Sequence, residues 1–245
     1  MPYCTYCLRV SDLYSFAWSR ERTSGDVLKP IGIFGGTFDP IHFGHLRLAE
    51  EMAEALELAT VHFIPAGTPP HRTRPRTDAH HRLQMVQLAI AGNPRFVLDN
   101  REVGLPRLSF TVETLASLRD ELGATQPLCL LLGADAFLGL TTWHRWQDLF
   151  ALAHIAVAHR PGFPQSTWKD AMPEVLRTEL EARMAHPQDL TSAAAGLLVT
   201  RPITALDISA THIRDTLRAA RSSRYLLPNV VLDYIQANQL YLPEN

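Results

Sequence analysis

Residues Gly35 to Leu46 read Gly-Gly-Thr-Phe-Asp-Pro-Ile-His-Phe-Gly-His-Leu. Glycines without Cβ let an anionic group approach the backbone. A helical pattern begins directly after, and a helix start offers unpaired N–H groups and a positive dipole end. His42 and His45, three apart with Gly44 between them, can donate hydrogen bonds without committing a permanent charge. A second constellation, Asp207-Ile-Ser-Ala-Thr-His-Ile-Arg214, has the same chemical character. Ser209 can cap a helix, and Thr211 and Arg214 share a helix face near its start. Backbone N–H groups, a hydroxyl and a guanidinium at that end could hold further phosphates.

The elements that must place these residues alternate. Apolar runs predict strands at Pro30–Phe34, Val61–Ile64, Phe96–Leu98, Leu128–Leu132, Ile155–Ala158 and Leu197–Val199. The uninterrupted run at Leu128–Leu132 suits a central parallel strand covered on both faces. Leu46, Ala49, Met52, Ala53 and Leu56 recur at helical spacing, with Glu50, Glu51, Glu54 and Glu57 facing outward. Further helices are expected at Asp78–Ala91, Thr111–Leu122, Trp143–Ala151, Asp170–Arg183, Thr211–Ala220 and Val230–Ala237. Pro161–Ala185 reads as a peripheral insertion, and the proline-rich Gly67–Thr77 as a loop. Strands alternating with helices call for an α/β fold: a Rossmann-like, doubly wound parallel sheet with helices on both faces. Ligands on such sheets lie at the strand carboxyl ends near the switch point, where Gly35–His45 and Gly133–Asp135 fall.

Composition excludes several classes. The 245 residues are 46% apolar and 20% charged with a net charge of −2. That is ordinary for a globular chain and supplies no basic field for nucleic acid. No apolar run approaches the roughly 18 residues of a membrane span, and the N-terminus lacks the form of a secretory signal. Three cysteines, one inside the apolar run at Cys129, suit a reducing cytoplasm. Cys4 and Cys7 form half a zinc motif, but no second pair exists to complete four ligands. Residues 1–29 are expected to be a poorly ordered extension, or to lie ahead of the true start, with one domain over 30–245.

Gly-Thr-Phe-Asp-Pro-Ile-His-x-Gly-His resembles the signature of the HxGH-class nucleotidylyltransferases, and more narrowly of the bacterial nicotinate-nucleotide adenylyltransferases. Asp207–Arg214 resembles that family's Ile-Ser-Ser/Ala-Thr-x-Ile-Arg motif, in the right order some 165 residues on. The resemblance spans Ile31 to Leu242. It implies adenylyl transfer from ATP, with magnesium, to nicotinic acid mononucleotide, giving deamido-NAD and pyrophosphate in NAD biosynthesis. The attacking phosphate oxygen is already ionised, so in-line attack needs no base and no covalent intermediate. By resemblance His42, His45 and Arg214 are catalytic. Gly35, Gly36, Thr37, Phe38, Gly44, Gly133, Asp135, Ile208, Ser209 and Thr211 contact ATP. Thr111 and Trp143 meet the mononucleotide, joined by Arg72 of the Pro69-Pro-His-Arg72 loop, where the family has lysine. Phe110 replaces the tyrosine of the family's Ser-Tyr-Thr segment and loses its hydroxyl. No side chain is expected to form a resident metal site. Arg101 and Glu102 read as a structural ion pair, and the tail from Tyr225 to Tyr241 as packing. Homo-oligomerisation is left open.

Competing readings share parts of this pattern. Pantetheine-phosphate adenylyltransferases carry the glycine–histidine signature but lack the Pro-Pro-His loop and the long tail. Cytidylyltransferases fit less well. A class I aminoacyl-tRNA synthetase fragment would need a lysine-rich KMSKS-type loop, which is absent. A non-catalytic nucleotide sensor would be expected to carry a damaged phosphate motif, and both motifs are intact.

Overall fold

A computed structural model of the chain describes residues 27–68, 75–105, 107–159, 168 and 172–242. Among these, six strands form one parallel sheet: β1 (Ile31–Gly36), β2 (Thr60–Pro65), β3 (Phe96–Leu98), β4 (Leu128–Gly133), β5 (His154–His159) and β6 (Leu198–Pro202). Their spatial order is β3-β2-β1-β4-β5-β6. The chain therefore winds outward from β1 in one direction, then from β4 in the other, which makes the β1/β4 boundary the switch point. The helices are α1 (Phe43–Ala55), α2 (Ala79–Ile90), α3 (Thr111–Leu122), α4 (Ala134–Leu138), α5 (Leu149–Leu152), α6 (Glu174–Arg183), α7 (Ala210–Arg218) and α8 (Asn229–Ala237).

Period-two alternation splits even the unbroken apolar strands between two cores. Cys129 and Leu131 of β4 face one side with Ala156 and Ala158 of β5. Leu128, Leu130 and Leu132 face the other with Ile155 and Val157. The first core is closed by α1, α2, α7 and α8, the second by α3 to α6. The expected architecture is the one found. Burial pushes the Cys129 thiol up to about 12, so this cysteine is inert packing. In the folded protein Cys129 should resist a thiol reagent and label only after denaturation, as peptide mapping will show; fast native labelling at Cys129 would contradict its burial.

Several local expectations shift. The helix expected over Trp143–Ala151 is broken: Leu140–Thr142 and Trp146–Asp148 are 3-10 turns, and only Leu149–Leu152 is α-helical. Arg145, at φ 51, takes the left-handed conformation that interrupts it. The helix expected from Asp170 starts at Glu174, after Pro173; Asp170 itself lies outside the described residues. Arg101 and Glu102 do not pair, because adjacent side chains of this turn point apart. Arg101 donates to Asp99 at 2.8 Å and Glu121 at 2.9 Å. Glu102 is buried and accepts from the Thr114 hydroxyl at 2.6 Å. Nor is Glu50 simply outward: it takes the Arg95 guanidinium. The extension through residue 26, Cys4, Cys7 and Arg72 fall outside the described residues. Among those described, no helix is long and apolar enough to cross a membrane.

Candidate active site

β1 and β4 start in register, Ile31↔Leu128, but their pairing stops at Ile33↔Leu130. On its other side β1 stays paired with β2 out to Gly36↔Pro65, and β4 with β5 out to Gly133↔Ala158. The two central strands thus part at their carboxyl ends and leave a crevice between Gly35-Gly36 and Gly133. A Cβ placed on Gly35 or Gly133 would meet nothing within 4 Å, so both glycines open onto free space.

α1 starts from this edge with His42 at its N-cap, in extended conformation (φ −150, ψ 172), and with no acidic residue in its first turn. With a histidine at the N-cap where Asp is common, the positive helix end has no carboxylate of its own first turn to neutralise it. The rings of His42 and His45 stack with centroids 3.8 Å apart. The His42 amide donates to His45 Nδ1 at 3.3 Å, which puts the proton of a neutral His45 on Nε2. Phe38, at φ 49, turns its ring into the core and sets it edge-on to His45 at 5.1 Å. The side chain of Phe38 therefore supports His45 from the core side. Gly44 keeps space for the imidazole: a Cβ there would stand 3.0 Å from Cε1 and Nδ1 of His42 and 3.6 Å from the Ile208 carbonyl oxygen, so the ring would have to give way slightly.

His42 is 5% exposed, and its Nδ1 is one of the buried atoms without a hydrogen-bond partner among the described residues. Burial lowers its pKa from 6.5 to about 4. The ring is therefore a neutral donor and acceptor at physiological pH. Unfolded chain takes up this proton as pH falls past 6.5, whereas the folded chain waits until about 4, so stability falls with falling pH across that window. Its full size is on the order of 3 kcal/mol. The urea midpoint should drop between those pH values, and drop less in His42→Gln. Equal drops in both proteins would remove His42 as the source.

α7 brings the second motif to the same edge. Ser209 is its N-cap, accepting from the His212 amide at 3.2 Å, and again no acidic residue occupies the first turn. Arg214 donates from Nη2 to Thr211 Oγ1 at 3.1 Å and from Nη1 to the carbonyl oxygen of Asp39 at 2.7 Å. That last bond crosses 175 residues of sequence. It joins the two motifs directly. Arg214 Nε is buried and has no partner among the described residues.

The other expected contacts lie across the crevice. Gly133 is the N-cap of α4, and Asp135 sits exposed in its first turn. Thr111 is the first residue of α3. Its neighbour Phe110 packs on His144, centroids 4.5 Å apart, which brings the start of α3 against the turn that carries half-buried Trp143. Phe110 and Trp143 pack against the second core, α1 and α7 against the first. A ligand reaching both groups must run over the sheet edge through the β1/β4 gap. Thr37 and Gly36 line the turn at the end of β1, with the Thr37 carbonyl accepting from Arg82.

Comparison with known proteins agrees. The cytidylyltransferase-like family model matches residues 33–216. A protein of Dechloromonas aromatica described as a probable nicotinate-nucleotide adenylyltransferase is 56% identical over 214 residues, 87% of this chain and 98% of its own length. The chain belongs to the nicotinate-nucleotide adenylyltransferases. Relatives of the same description in Halorhodospira halophila and Pseudomonas aeruginosa are 50% and 46% identical, over 83% and 87% of this chain and 91% and 97% of theirs. In fold, it is similar to a Plasmodium falciparum nicotinic acid mononucleotide adenylyltransferase complexed with NaAD, at TM-score 0.66 and 18% identity, covering 87% of this chain and 97% of that one.

Within this adenylyltransferase, two residues escaped the sequence reading. Arg82 is 1% exposed and donates to three carbonyl oxygens: Thr37 at 2.7 Å, Gly67 at 2.9 Å and Thr77 at 3.2 Å. It ties the turn after β1 to the loop after β2. The signal was available, since Arg82 sits on the apolar face of α2 at helical spacing from Met85, Val86 and Ile90. Asp39, 5% exposed, accepts from the Arg76 amide at 2.8 Å and from Tyr241. Among the described residues no three His, Cys, Asp or Glu side chains converge as a metal site.

Proposed function

We propose that this enzyme transfers the adenylyl group of ATP to nicotinic acid mononucleotide, yielding deamido-NAD and pyrophosphate in NAD biosynthesis. The observation that carries the reading is the Arg214–Asp39 hydrogen bond. It sets two uncapped-by-acid helix starts, α1 and α7, side by side where one polyphosphate can lie across both.

In this reading the mononucleotide phosphate oxygen attacks the α-phosphorus in line. A P–O–P bond forms, the α–β bond breaks, and pyrophosphate leaves with the bonding electron pair. The nucleophile is already ionised, so no proton moves at the attacking atom. His42 and His45 donate to the α-phosphate oxygens as equatorial charge grows. The backbone at Gly35, Gly36, Thr37, Phe38 and Gly44 makes room for the triphosphate. Ser209, Thr211 and Arg214 hold the β- and γ-phosphates, supported by the Ile208 turn, and Arg214 neutralises the departing pyrophosphate. Gly133 and Asp135 receive the adenosine and its ribose hydroxyls. Thr111 and the face of Trp143 receive the nicotinate, with Arg72 approaching from the β2–α2 loop. ATP enters as its magnesium complex. Held by the phosphate oxygens, the ion would add positive charge for the leaving pyrophosphate and would need no carboxylate cage from the chain.

Pyrophosphate release from ATP with nicotinic acid mononucleotide, and with its amide analogue in parallel, tests this. Turnover with the acid is expected, at higher kcat/KM than with the amide. No pyrophosphate with either would end the proposal.

A subtler variant checks the role of the tight turn. Gly44→Ala introduces a methyl 3.0 Å from the His42 ring, so the imidazole must shift. A kcat loss of about 10-fold is expected, since displacements well under 1 Å already cost rate. Wild-type kcat in this variant would show that the ring's position is not critical.

A further inference from the structure

Asp39 carries a buried carboxylate three residues before His42. A buried charge must be matched by donors or it destabilises the fold. Its Oδ2 takes the Arg76 amide, on the loop leading into α2, at 2.8 Å. Its Oδ1 takes the Tyr241 hydroxyl at 2.6 Å, a contact spanning 202 residues. Its carbonyl takes Arg214. Tyr241 is 8% exposed and packs in the first core with Phe38 and Ile41. Its φ of 60 is a left-handed backbone conformation that a non-glycine residue holds only when the surroundings impose it. Here it is the last turn after α8 that directs the ring to Asp39. Burial, and after it the nearby Asp39 carboxylate, raise the phenol's pKa, so the hydroxyl remains a donor throughout the working pH range.

We propose that Tyr241 is a positioning residue for the reaction: through Asp39 its hydroxyl sets the His42–His45 turn relative to α7. The proposal rests on the reading of that turn as the phosphate site. The chain from Asp39 to His42 is three residues long and includes Pro40, whose φ is confined. A shift of the Asp39 carboxylate therefore passes to the histidine backbone with little slack. The tail expected to be packing alone has, at this residue, a polar contact aimed at the site.

Tyr241→Phe removes one oxygen and keeps the ring. Three measurements on the full-length protein distinguish the outcomes: kcat and KM for each substrate, the thermal midpoint, and the 15N-edited imidazole resonances of His42 and His45 without substrate. A roughly 10-fold fall in kcat with little change in either KM is expected, together with displaced imidazole resonances in a folded protein. A variant with a lowered thermal midpoint but wild-type kcat and unmoved imidazole resonances would overturn the proposal, since Tyr241 would then be packing only. If the wild type fails to turn over, the proposed function falls, and the resonances alone decide this inference: displaced supports it, unmoved overturns it. If Tyr241→Phe does not fold, Asp39→Ala removes the acceptor at the other end of the same hydrogen bond, with the same two readings.

Discussion

His45→Ala should lower kcat by about 10²- to 10³-fold with much smaller changes in KM, the usual cost of deleting a donor that serves the transition state. The geometry explains why the loss should fall on kcat. His45 Nδ1 accepts from the His42 amide at 3.3 Å, and its ring is steadied by Phe38. With Nδ1 engaged as acceptor, its donor is Nε2–H. Charge on the α-phosphate oxygens grows as pyrophosphate departs, so that donor matters more at the transition state than in the ground state. Steady-state kinetics beside a folded-state check are sufficient. An unchanged kcat would take His45 out of the reaction.

Arg214→Ala should lower kcat/KM for ATP by about 10- to 100-fold, the range set by charge-assisted hydrogen bonds. KM for the mononucleotide should hardly move. Arg214 performs two tasks: it fastens α7 to the Asp39 carbonyl and Thr211, and it brings a half-buried positive charge to the start of that helix. Arg214→Lys should recover little, because a single ammonium cannot reproduce the planar guanidinium fork. Equal damage to both substrates' KM would argue that Arg214 organises the fold and does not meet the leaving group.

The parts of the molecule visible in the sequence were those governed by short-range rules. Leu128–Leu132 is apolar without interruption because β4 is covered on both faces, and α3 begins and ends where its periodicity does, Thr111 to Leu122. The two motifs were visible because their residue types stand together at short spacing, and Ser209 caps α7 as its place before the helix led one to expect. The link between them was not. The Arg214–Asp39 bond depends on where the sheet delivers two helices, and no local pattern encodes a contact 175 residues long.

Arg82 and Tyr241 show a second kind of limit. An arginine among Met85, Val86 and Ile90 reads as a tolerated cation beside an apolar stripe, until three carbonyl oxygens converge on it. Tyr241 reads as an aromatic anchor, and its hydroxyl acquires meaning only from Asp39. The break around Trp143 was hidden for a simpler reason: the left-handed residue is Arg145, where no glycine marks the turn. In each case the deciding interaction is long-range or contrary to the residue's usual conformation.

A crystal structure with a non-hydrolysable ATP analogue and nicotinic acid mononucleotide addresses the central claim most directly. The account predicts the α-phosphate within hydrogen-bonding distance of His42 and His45, the β- and γ-phosphates at Ser209, Thr211 and Arg214, and the pyridine ring beyond the β1/β4 gap near Trp143. A triphosphate bound away from the start of α7, with no phosphate beside the imidazoles, would contradict it.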